Sequence, residues 1–238
     1  MQTIDFKYLR LSQGDRVLDV GCGEGRHCIT AYLAADISVM GVDLNEQDLT
    51  IARQRFKPFE DKTNHNKSLT FQRANALALP FSDHSFDKVI CSEVLEHITD
   101  YLAVLAEINR VLKPDGLLVV SVPRAWPEEI CWQLSKPYRQ VKGGHIRIFN
   151  ATQLQHDVED FGWQRYARHW AHALHSPFWW LKCWKWGDDN SRIIYYYHKM
   201  LVWDLMRRPW LTRSLEWLLN PIMGKSVVMY FERVSNNA

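Results

Sequence analysis

Residues 17–27, Val-Leu-Asp-Val-Gly-Cys-Gly-Glu-Gly-Arg-His, have the residue types and spacing that could bind a small-molecule cofactor. They begin with a short apolar run rich in β-branched residues, which indicates a buried parallel strand. Gly21, Gly23 and Gly25 allow a tight turn and the close approach of a ligand. The helix predicted next directs its free N–H groups toward that ligand. Asp19 is a carboxylate within the apolar strand. Since an unpaired buried charge is costly, we expect it to face the turn and meet a ligand's ammonium group or the loop amides.

An acidic residue follows the second predicted strand, residues 37–42, at Asp43. A carboxylate at this position can accept hydrogen bonds from both hydroxyls of a ribose. An ordinary strand-to-helix connection would account for the glycine turn but not for this acid, so together they indicate an adenosine-containing cofactor. A nicotinamide-binding turn would carry its third glycine at position 26, where the chain has Arg26.

The combination of Asp19, the GxGxG turn and Asp43 resembles motifs I and II of the class I S-adenosylmethionine (SAM)-dependent methyltransferases. The resemblance covers residues 14–170 and 226–234. It implies SAM as the cofactor and assigns its binding to Asp19, Gly21, Gly23, Gly25, Asp43, Leu44, Asn75, Ala76 and Cys91. Family members often carry an acid at the position of Asn75, but the amide oxygen of this side chain can still accept a hydrogen bond.

The same resemblance implies an α/β fold for residues 1–238 as one domain. We expect a Rossmann-like, doubly wound sheet of seven mostly parallel strands, whose antiparallel seventh strand lies between the fifth and sixth. Sequences similar to family motifs recur in order at 86–90, 96–97 and 112–116. Further strands are predicted at 69–73, 86–91, 117–122, 163–170 and 226–234, helices at 45–56, 150–161 and up to about 112, and a turn at 113–116.

Methyl transfer from a sulfonium requires mainly the alignment of the acceptor with the methyl group. A base is needed only for an alcohol, phenol or ammonium acceptor. The candidate catalytic residues are Glu93, Glu96, His97 and His145.

Glu93-x-x-Glu96-His97 also resembles the metal-binding segment of ubiquinone-pathway O-methyltransferases and small-RNA 2′-O-methyltransferases. Residues three or four apart share a helix face, and His145 could supply a further ligand. A structural helix start explains the Glu96-His97 pair equally well. Metal binding, a base role and a structural role therefore stay open, and no metal is assigned.

Composition excludes several classes of protein. A formal charge of +2 is too small to indicate nucleic-acid binding, and the five cysteines form no CxxC pair, so neither a zinc site nor a disulfide framework is predicted. The first residues lack the apolar stretch of a signal peptide, and no segment approaches the apolar length of a membrane span. We expect a cytoplasmic protein, soluble or peripheral to the inner face of a membrane.

Two insertions interrupt the expected fold. Residues 123–149 contain three prolines and the Gly143-Gly144 pair, which predicts a loop-rich insertion over the carboxyl ends of the strands, where such folds bind substrate. Residues 171–225 separate the sixth strand from the seventh. They hold seven of the eleven tryptophans and eight basic against four acidic residues. We expect this segment to form a helical cap over the mouth of the cofactor cleft.

One interpretation is a small helical lid that packs its aromatic side chains onto the core. Each buried aromatic side chain removes about 150–250 Å² from solvent, so we expect a short segment to leave some of these tryptophans exposed. The surplus must face a substrate, a partner or a membrane. Tryptophan and tyrosine interleaved with lysine and arginine are typical of a membrane interface. The run 178–181 is expected to line an acceptor pocket.

The sequence therefore predicts a SAM-dependent methyltransferase that acts at an oxygen or carbon atom of a lipophilic small molecule, such as a quinone precursor, lipid or secondary metabolite. A tRNA or protein methyltransferase ranks lower, because the cap has only modest positive charge and no Asn-Pro-Pro-Tyr motif follows the fourth strand. A SAM-binding protein without catalysis is the third interpretation. The acceptor molecule and atom stay open.

Overall fold

The computed structural model describes residues 2–188, 190–207 and 209–234. A seven-stranded sheet forms its centre. The strands are β1 (Arg16–Val20), β2 (Ser38–Asp43), β3 (Ser68–Arg73), β4 (Phe86–Ser92), β5 (Leu112–Pro123), β6 (Trp163–Ala171) and β7 (Ser226–Arg233). The helices are α1 (Phe6–Leu9), α2 (Arg26–Ala34), α3 (Glu46–Phe56), α4 (Tyr101–Val111), α5 (Ala125–Leu134), α6 (Lys136–Arg139), α7 (Ala151–Glu159), α8 (His175–Trp184), α9 (Arg192–Arg207) and α10 (Trp210–Met223).

The strand order is β3-β2-β1-β4-β5-β7-β6, and β7 runs antiparallel to both of its neighbours. The sixth strand consequently runs in the same direction as the first five, as predicted. Side chains of successive strand residues point to opposite faces: Val17 packs with α2 and α3, whereas Leu18 packs with α4 and α7. Helices thus cover both faces, which confirms the doubly wound α/β fold.

The local signals for α3 work as the sequence predicts. Asn45 caps this helix, and its side chain accepts a hydrogen bond from the backbone N–H of Gln47 at 3.0 Å. Asp43 therefore lies between the end of β2 and a helix start, where its side chain can reach neighbouring loops.

The predicted turn at 113–116 lies within β5 instead. Leu112 pairs with Phe86 and Leu117 with Lys88, so the intervening residues bulge out of a strand that continues on both sides.

The prediction of a loop-rich insertion at 123–149 is wrong for most of that range, because α5 and α6 occupy residues 125–134 and 136–139. Pro127 and Pro137 lie in the first turns of these helices. Proline is tolerated there because the N–H group it lacks would have no partner within the helix. The loop that the glycine pair predicts is confined to residues 140–149.

The described residues between β6 and β7 are largely helical, as expected, and form α8, α9 and α10. Helix α8 packs on α5, whereas α10 packs on β6. The segment therefore divides between two parts of the molecule. None of the helices within the described ranges is long and apolar enough to span a bilayer.

Candidate active site

The glycine turn after β1 uses its three glycines in different ways. Gly21 and Gly25 have φ values of 69° and 78°, in the region that favours glycine. A Cβ atom on Gly21 would collide with Val94, and one on Gly25 would lie 2.9 Å from the Cβ of Ala52. A Cβ on Gly23 would meet open space. Packing therefore requires glycine at positions 21 and 25, whereas Gly23 borders the space that a ligand can enter.

Asp43 binds the glycine turn to the end of β2. Its carboxylate accepts hydrogen bonds from the backbone N–H groups of Gly23 and Asn45, both at 2.8 Å. A carboxylate has about four lone-pair sites, so roughly two stay available for the hydroxyls of a ribose. Leu44, next in the chain, is 62% exposed. Its side chain is available to contact a bound cofactor.

Asp19 is buried against the first turn of α2. The Gly21 and Cys22 N–H groups donate to the carbonyl of Val42 at 2.8 and 2.9 Å, whereas the buried Asp19 carboxyl accepts a hydrogen bond from Sγ of Cys28 at 3.1 Å. Burial raises the pKa of Asp19 to about 7, although the Cys28 hydrogen bond and the charge of Arg26 oppose this shift. The carboxyl group therefore changes charge near neutral pH.

Asn75, Ala76 and Cys91, which the resemblance assigns to SAM binding, differ in accessibility. The Asn75 side chain is exposed, and its oxygen accepts a hydrogen bond from the Leu77 N–H at 3.0 Å. Ala76 packs partly against the core. Cys91 is fully buried in that core, so the expectation that its thiol lines the site is wrong. A strand covered by helices on both faces leaves this side chain no access to the cleft.

A second group of polar residues lies beyond the end of β4. One ligand atom each from Glu96, His97 and His145 lies within 4.8 Å of the other two; we call these residues the Glu96 cluster. Glu96 is 1% exposed, and neither of its carboxylate oxygens has a hydrogen-bond partner among the described residues. Burial, with the charge of Glu93, raises the pKa of Glu96 well above its usual range.

Both imidazoles of this cluster are held in one orientation. Nδ1 of His97 lies 3.1 Å from the carbonyl oxygen of Gly144, and Nδ1 of His145 lies 2.7 Å from Oε1 of Glu128. Carbonyl and carboxylate oxygens only accept hydrogen bonds, so each Nδ1 carries the proton and each Nε2 keeps its lone pair. The hydroxyl of Tyr138 donates to the same Glu128 oxygen at 2.9 Å. The two Nε2 atoms can therefore bind a metal ion or accept a proton.

Glu93 stands apart from the cluster because the segment is not an α-helix. Only Leu95–His97 form a short 3₁₀ turn, and Glu93 precedes it with a φ of 58°. Its carboxylate accepts a hydrogen bond from the Ser121 hydroxyl at 3.1 Å. The expectation that Glu93, Glu96 and His97 share a helix face is wrong, and His145 takes the place given to Glu93.

Helix α8 contacts the surroundings of this cluster through aromatic side chains. The ring of Trp179 lies 6.0 Å from that of Tyr138, and Nε1 of Trp180 donates to the Pro127 carbonyl at 3.0 Å. Trp179 and Trp180 are half-buried, whereas Phe178 is buried. One helix of the cap therefore adjoins the residues that orient His145.

The model of a family described as "Methyltransferase domain" matches residues 11–175. The chain belongs to the class I SAM-dependent methyltransferases. A 27-O-demethylrifamycin SV methyltransferase from Amycolatopsis mediterranei is 37% identical over 65% of this chain and 56% of its own length. A demethylmenaquinone methyltransferase from Symbiobacterium thermophilum is 36% identical over 52% of this chain and 45% of its own. The chain thus spans about half the length of these relatives.

A solved structure of geranyl diphosphate methyltransferase in complex with SAM shares the fold. It has a TM-score of 0.63 and 15% identity, and the match covers 96% of this methyltransferase and 82% of that chain. SAM is the cofactor of the family. The open space at Gly23 and the spare lone pairs of Asp43 fit a bound adenosine with its methionine tail.

Sequence reasoning missed Glu128 and Tyr138, which orient His145. Both lie in the segment predicted to be loop, where a carboxylate carries no signal of burial. Once α5 is placed, Glu128 is 2% exposed. Burial alone would raise the pKa of Glu128, but the hydrogen bond from His145, the charge of Lys225 and the hydrogen bond from Tyr138 hold it below the ordinary value. Two adjacent acids, Glu128 and Glu129, interrupt the largely apolar run 125–134, and only the fold shows that the first is buried and the second exposed.

We expect the Asp43→Ala substitution to weaken SAM binding about 30- to 150-fold. Two hydrogen bonds to a charged acceptor contribute about 2–3 kcal/mol together, and each 1.4 kcal/mol is a factor of ten. Calorimetric titration measures the effect. Asp115→Ala, at an exposed acid distant from the turn, is the control and should bind normally. Unchanged affinity in a folded Asp43→Ala protein would contradict the assignment.

SAM affinity should rise with pH through the ionisation of Asp19. Because its pKa is about 7, the carboxyl group is mostly neutral at pH 6 and attracts the SAM ammonium group only after it loses its proton. Between pH 6.0 and 7.5 this predicts an increase of about eightfold. Calorimetry at both pH values, with Asp19→Asn as the pH-independent control, tests it. A wild-type affinity that does not change with pH would refute a role for Asp19.

Proposed function

We propose that this protein transfers the SAM methyl group to an acidic O–H or C–H group of a lipophilic small molecule. The observation that carries the proposal is the Glu96 cluster, in which two oriented imidazoles lie beside a buried, unpartnered carboxyl group. The names of two relatives support a small-molecule substrate, because one is a methyltransferase for 27-O-demethylrifamycin SV and the other for demethylmenaquinone. The quinone precursors, lipids and secondary metabolites considered from the sequence stay within this class.

His145 is the proposed general base. When bound, SAM supplies a methyl group, and the rest of the sulfonium departs as a neutral thioether. The acceptor must lose the proton of its O–H or C–H group, because the methyl group replaces it. Nε2 of His145 can take that proton, and Glu128 stabilises the resulting imidazolium through the hydrogen bond at 2.7 Å. Tyr138 holds Glu128 in place. His97 then helps to position the acceptor.

The Glu96 cluster also fits a divalent cation. A carboxylate and two imidazole nitrogens are suitable donors, and each imidazole already has the hydrogen-bond partner that orients metal-bound histidine. A cation held there would polarise the acceptor group and lower its pKa. The unpartnered oxygens of Glu96 support this possibility, because a buried carboxyl group without hydrogen bonds is otherwise costly.

The outer face of α10 supports contact with a membrane. Leu211, Leu215, Leu218 and Ile222 form one stripe along this helix and are exposed, and the neighbouring Trp210 and Trp217 are 78% and 79% exposed. In the described part of 171–225, five basic side chains are exposed: Lys182, Arg192, Lys199, Arg207 and Arg213. Of the described acidic residues in this segment, Asp204 and Glu216 are turned inward, whereas Asp188 is exposed and pairs with Lys185. An apolar, basic surface suits the interface of an anionic bilayer.

We therefore propose that the protein binds peripherally to a membrane, from which α8 receives a lipophilic acceptor. The membrane-facing residues differ from the run 178–181, because Trp179 and Trp180 pack toward α5 and Tyr138. The aromatic residues of the cap thus have two roles, substrate contact through α8 and membrane contact through α10.

The catalytic assignment predicts that His145→Gln lowers kcat/KM about 10²- to 10⁴-fold while SAM affinity is retained. The assay follows labelled methyl transfer into lipid, small-molecule and RNA extracts. His156→Gln, at an exposed histidine on α7, is the control. A full rate in His145→Gln would contradict the base role. Label in RNA would favour a tRNA methyltransferase, and no transfer to any extract would favour a SAM-binding protein without catalysis.

Chelation distinguishes the two uses of the Glu96 cluster. If a cation occupies the cluster, activity should disappear in chelator and return with Mg²⁺ or a transition ion, and Glu96→Gln should abolish this recovery. Full activity in chelator would leave His145 as a base without a cation.

The membrane proposal predicts that Trp210→Ser with Trp217→Ser reduces binding to anionic phosphatidylglycerol vesicles roughly tenfold or more. Cosedimentation measures binding, which should also fall as salt is raised. Leu33→Ser with Leu102→Ser removes exposed apolar side chains on other helices and is the matched control. Equal binding of both double variants would refute the role of α10.

A further inference from the structure

The inner face of α10 is polar, in contrast to its exposed apolar face. Thr212, Glu216 and Asn220 are spaced four residues apart and point toward the body of the protein. The Thr212 hydroxyl donates to Asp204, and the Asn220 oxygen accepts from the Ala173 N–H at 3.0 Å. Among the described residues, no side chain forms a hydrogen bond with Glu216, which lies between them. The Leu174 backbone forms a hydrogen bond with its carboxyl group.

Glu216 faces two histidines across a cavity of about 530 Å³. The cavity lies between the first residues of the chain, the end of β6, α9 and α10, and it is lined by His172, His175 and Glu216. One ligand atom from each of these three residues lies within 4.8 Å of the other two. We call them the His172 site. It is separate from the Glu96 cluster and shares no residue with it.

Both histidines show features that ordinary packing does not require. Nδ1 of His175 is buried with no hydrogen-bond partner in the described chain. His172 is 7% exposed and has a φ of 67°, a conformation that costs a non-glycine residue energy. Its Nε2 lies 3.1 Å from the Thr3 hydroxyl, which fixes the ring. His175 thus has a buried nitrogen without a partner, and His172 has a strained backbone. A ligand atom of each lies within 4.8 Å of one in Glu216.

We propose that His172, His175 and Glu216 bind a divalent transition-metal ion, with zinc as the best match. Two imidazoles and one carboxylate form a recognised zinc donor set, which leaves a fourth position for water or another ligand. Magnesium and calcium prefer oxygen donors alone. The adjoining cavity gives that fourth position access to small molecules.

The donor atoms must move only slightly to bind zinc. Bonds of about 2.0–2.1 Å in a tetrahedral site separate ligand atoms by about 3.3 Å, so distances of up to 4.8 Å close by about 1.5 Å at most. Side-chain rotation of Glu216 supplies such a movement. The ion would then join the corner between β6 and α8 to α10 and fix the cap to the sheet.

Zinc and cobalt binding to the full chain tests this proposal. A background variant with Glu96→Gln, His97→Gln and His145→Gln removes the other candidate metal site. After dialysis against chelator, it should bind one equivalent of Zn²⁺ in calorimetry, and Co²⁺ should give the visible absorption of a tetrahedral ion. Adding Glu216→Gln or His175→Asn should weaken binding at least roughly 100-fold and abolish the cobalt spectrum.

Matched controls are Glu129→Gln and His198→Gln, which change an acid and a histidine outside the site and should leave binding unchanged. Zn²⁺ should also raise the Tm of the background variant but not that of its Glu216→Gln derivative, and circular dichroism confirms that each variant is folded. Absence of zinc binding in the folded background variant would overturn the proposal. Binding that survives both Glu216→Gln and His175→Asn would overturn it equally.

Discussion

The antiparallel pairing of β7 between β5 and β6 determines where the functional segments meet. Ser226, the first residue of β7, is paired with Pro123 on one side and with Ala171 on the other. The end of β5, the end of β6 and the start of β7 therefore lie at one corner of the sheet. The two insertions begin there, which is why α5 and α8 pack against each other and Arg124 N–H bonds to the Lys225 carbonyl at 2.7 Å.

Three buried carboxyl groups near this edge are accommodated in different ways. Asp19 accepts a weak hydrogen bond from Cys28, and its pKa of about 7 reflects the cost of burial. Glu128 keeps its charge because His145 and Tyr138 donate to it. Neither carboxylate oxygen of Glu96 has a hydrogen-bond partner among the described residues. Since desolvation penalises charge unless it is compensated, the three carboxyl groups differ in how far their partners offset the cost of burial.

The tryptophans of the cap follow a similar division between burial and exposure. Trp179 and Trp180 of α8 contact Tyr138 and α5, whereas Trp184 at its end and the tryptophans of α10 are exposed. The polar residues of α10 face inward. A helix in water normally buries its apolar face. The reversed arrangement in α10 places Glu216 beside His172 and His175 and presents leucine and tryptophan outward. The inward polar face of α10 thus contributes to the His172 site, and its outward apolar face forms the exposed surface.

Local sequence was sufficient for the sheet, the glycine turn and Asp43. Apolar runs, glycines and an acid after the second strand act over a few residues, so their positions follow from spacing along the chain. It misjudged Pro127 and Pro137 because proline breaks a helix interior but not a first turn, and the difference depends on where the helix begins. It also misjudged Cys91, since burial depends on which helices cover a strand.

The sequence by itself determined the family, the cofactor and the helical nature of residues 171–225. The tertiary structure decided which side chains meet. His145 reaches Glu96 and His97 because the N–H of Ile146 bonds to the Glu96 carbonyl at 3.0 Å, and Glu128 becomes its partner only through the packing of α5. These contacts join residues distant in the chain, and no local periodicity encodes them. The physical reason is that desolvation and hydrogen bonding depend on the complete set of neighbours, which only the folded chain assembles.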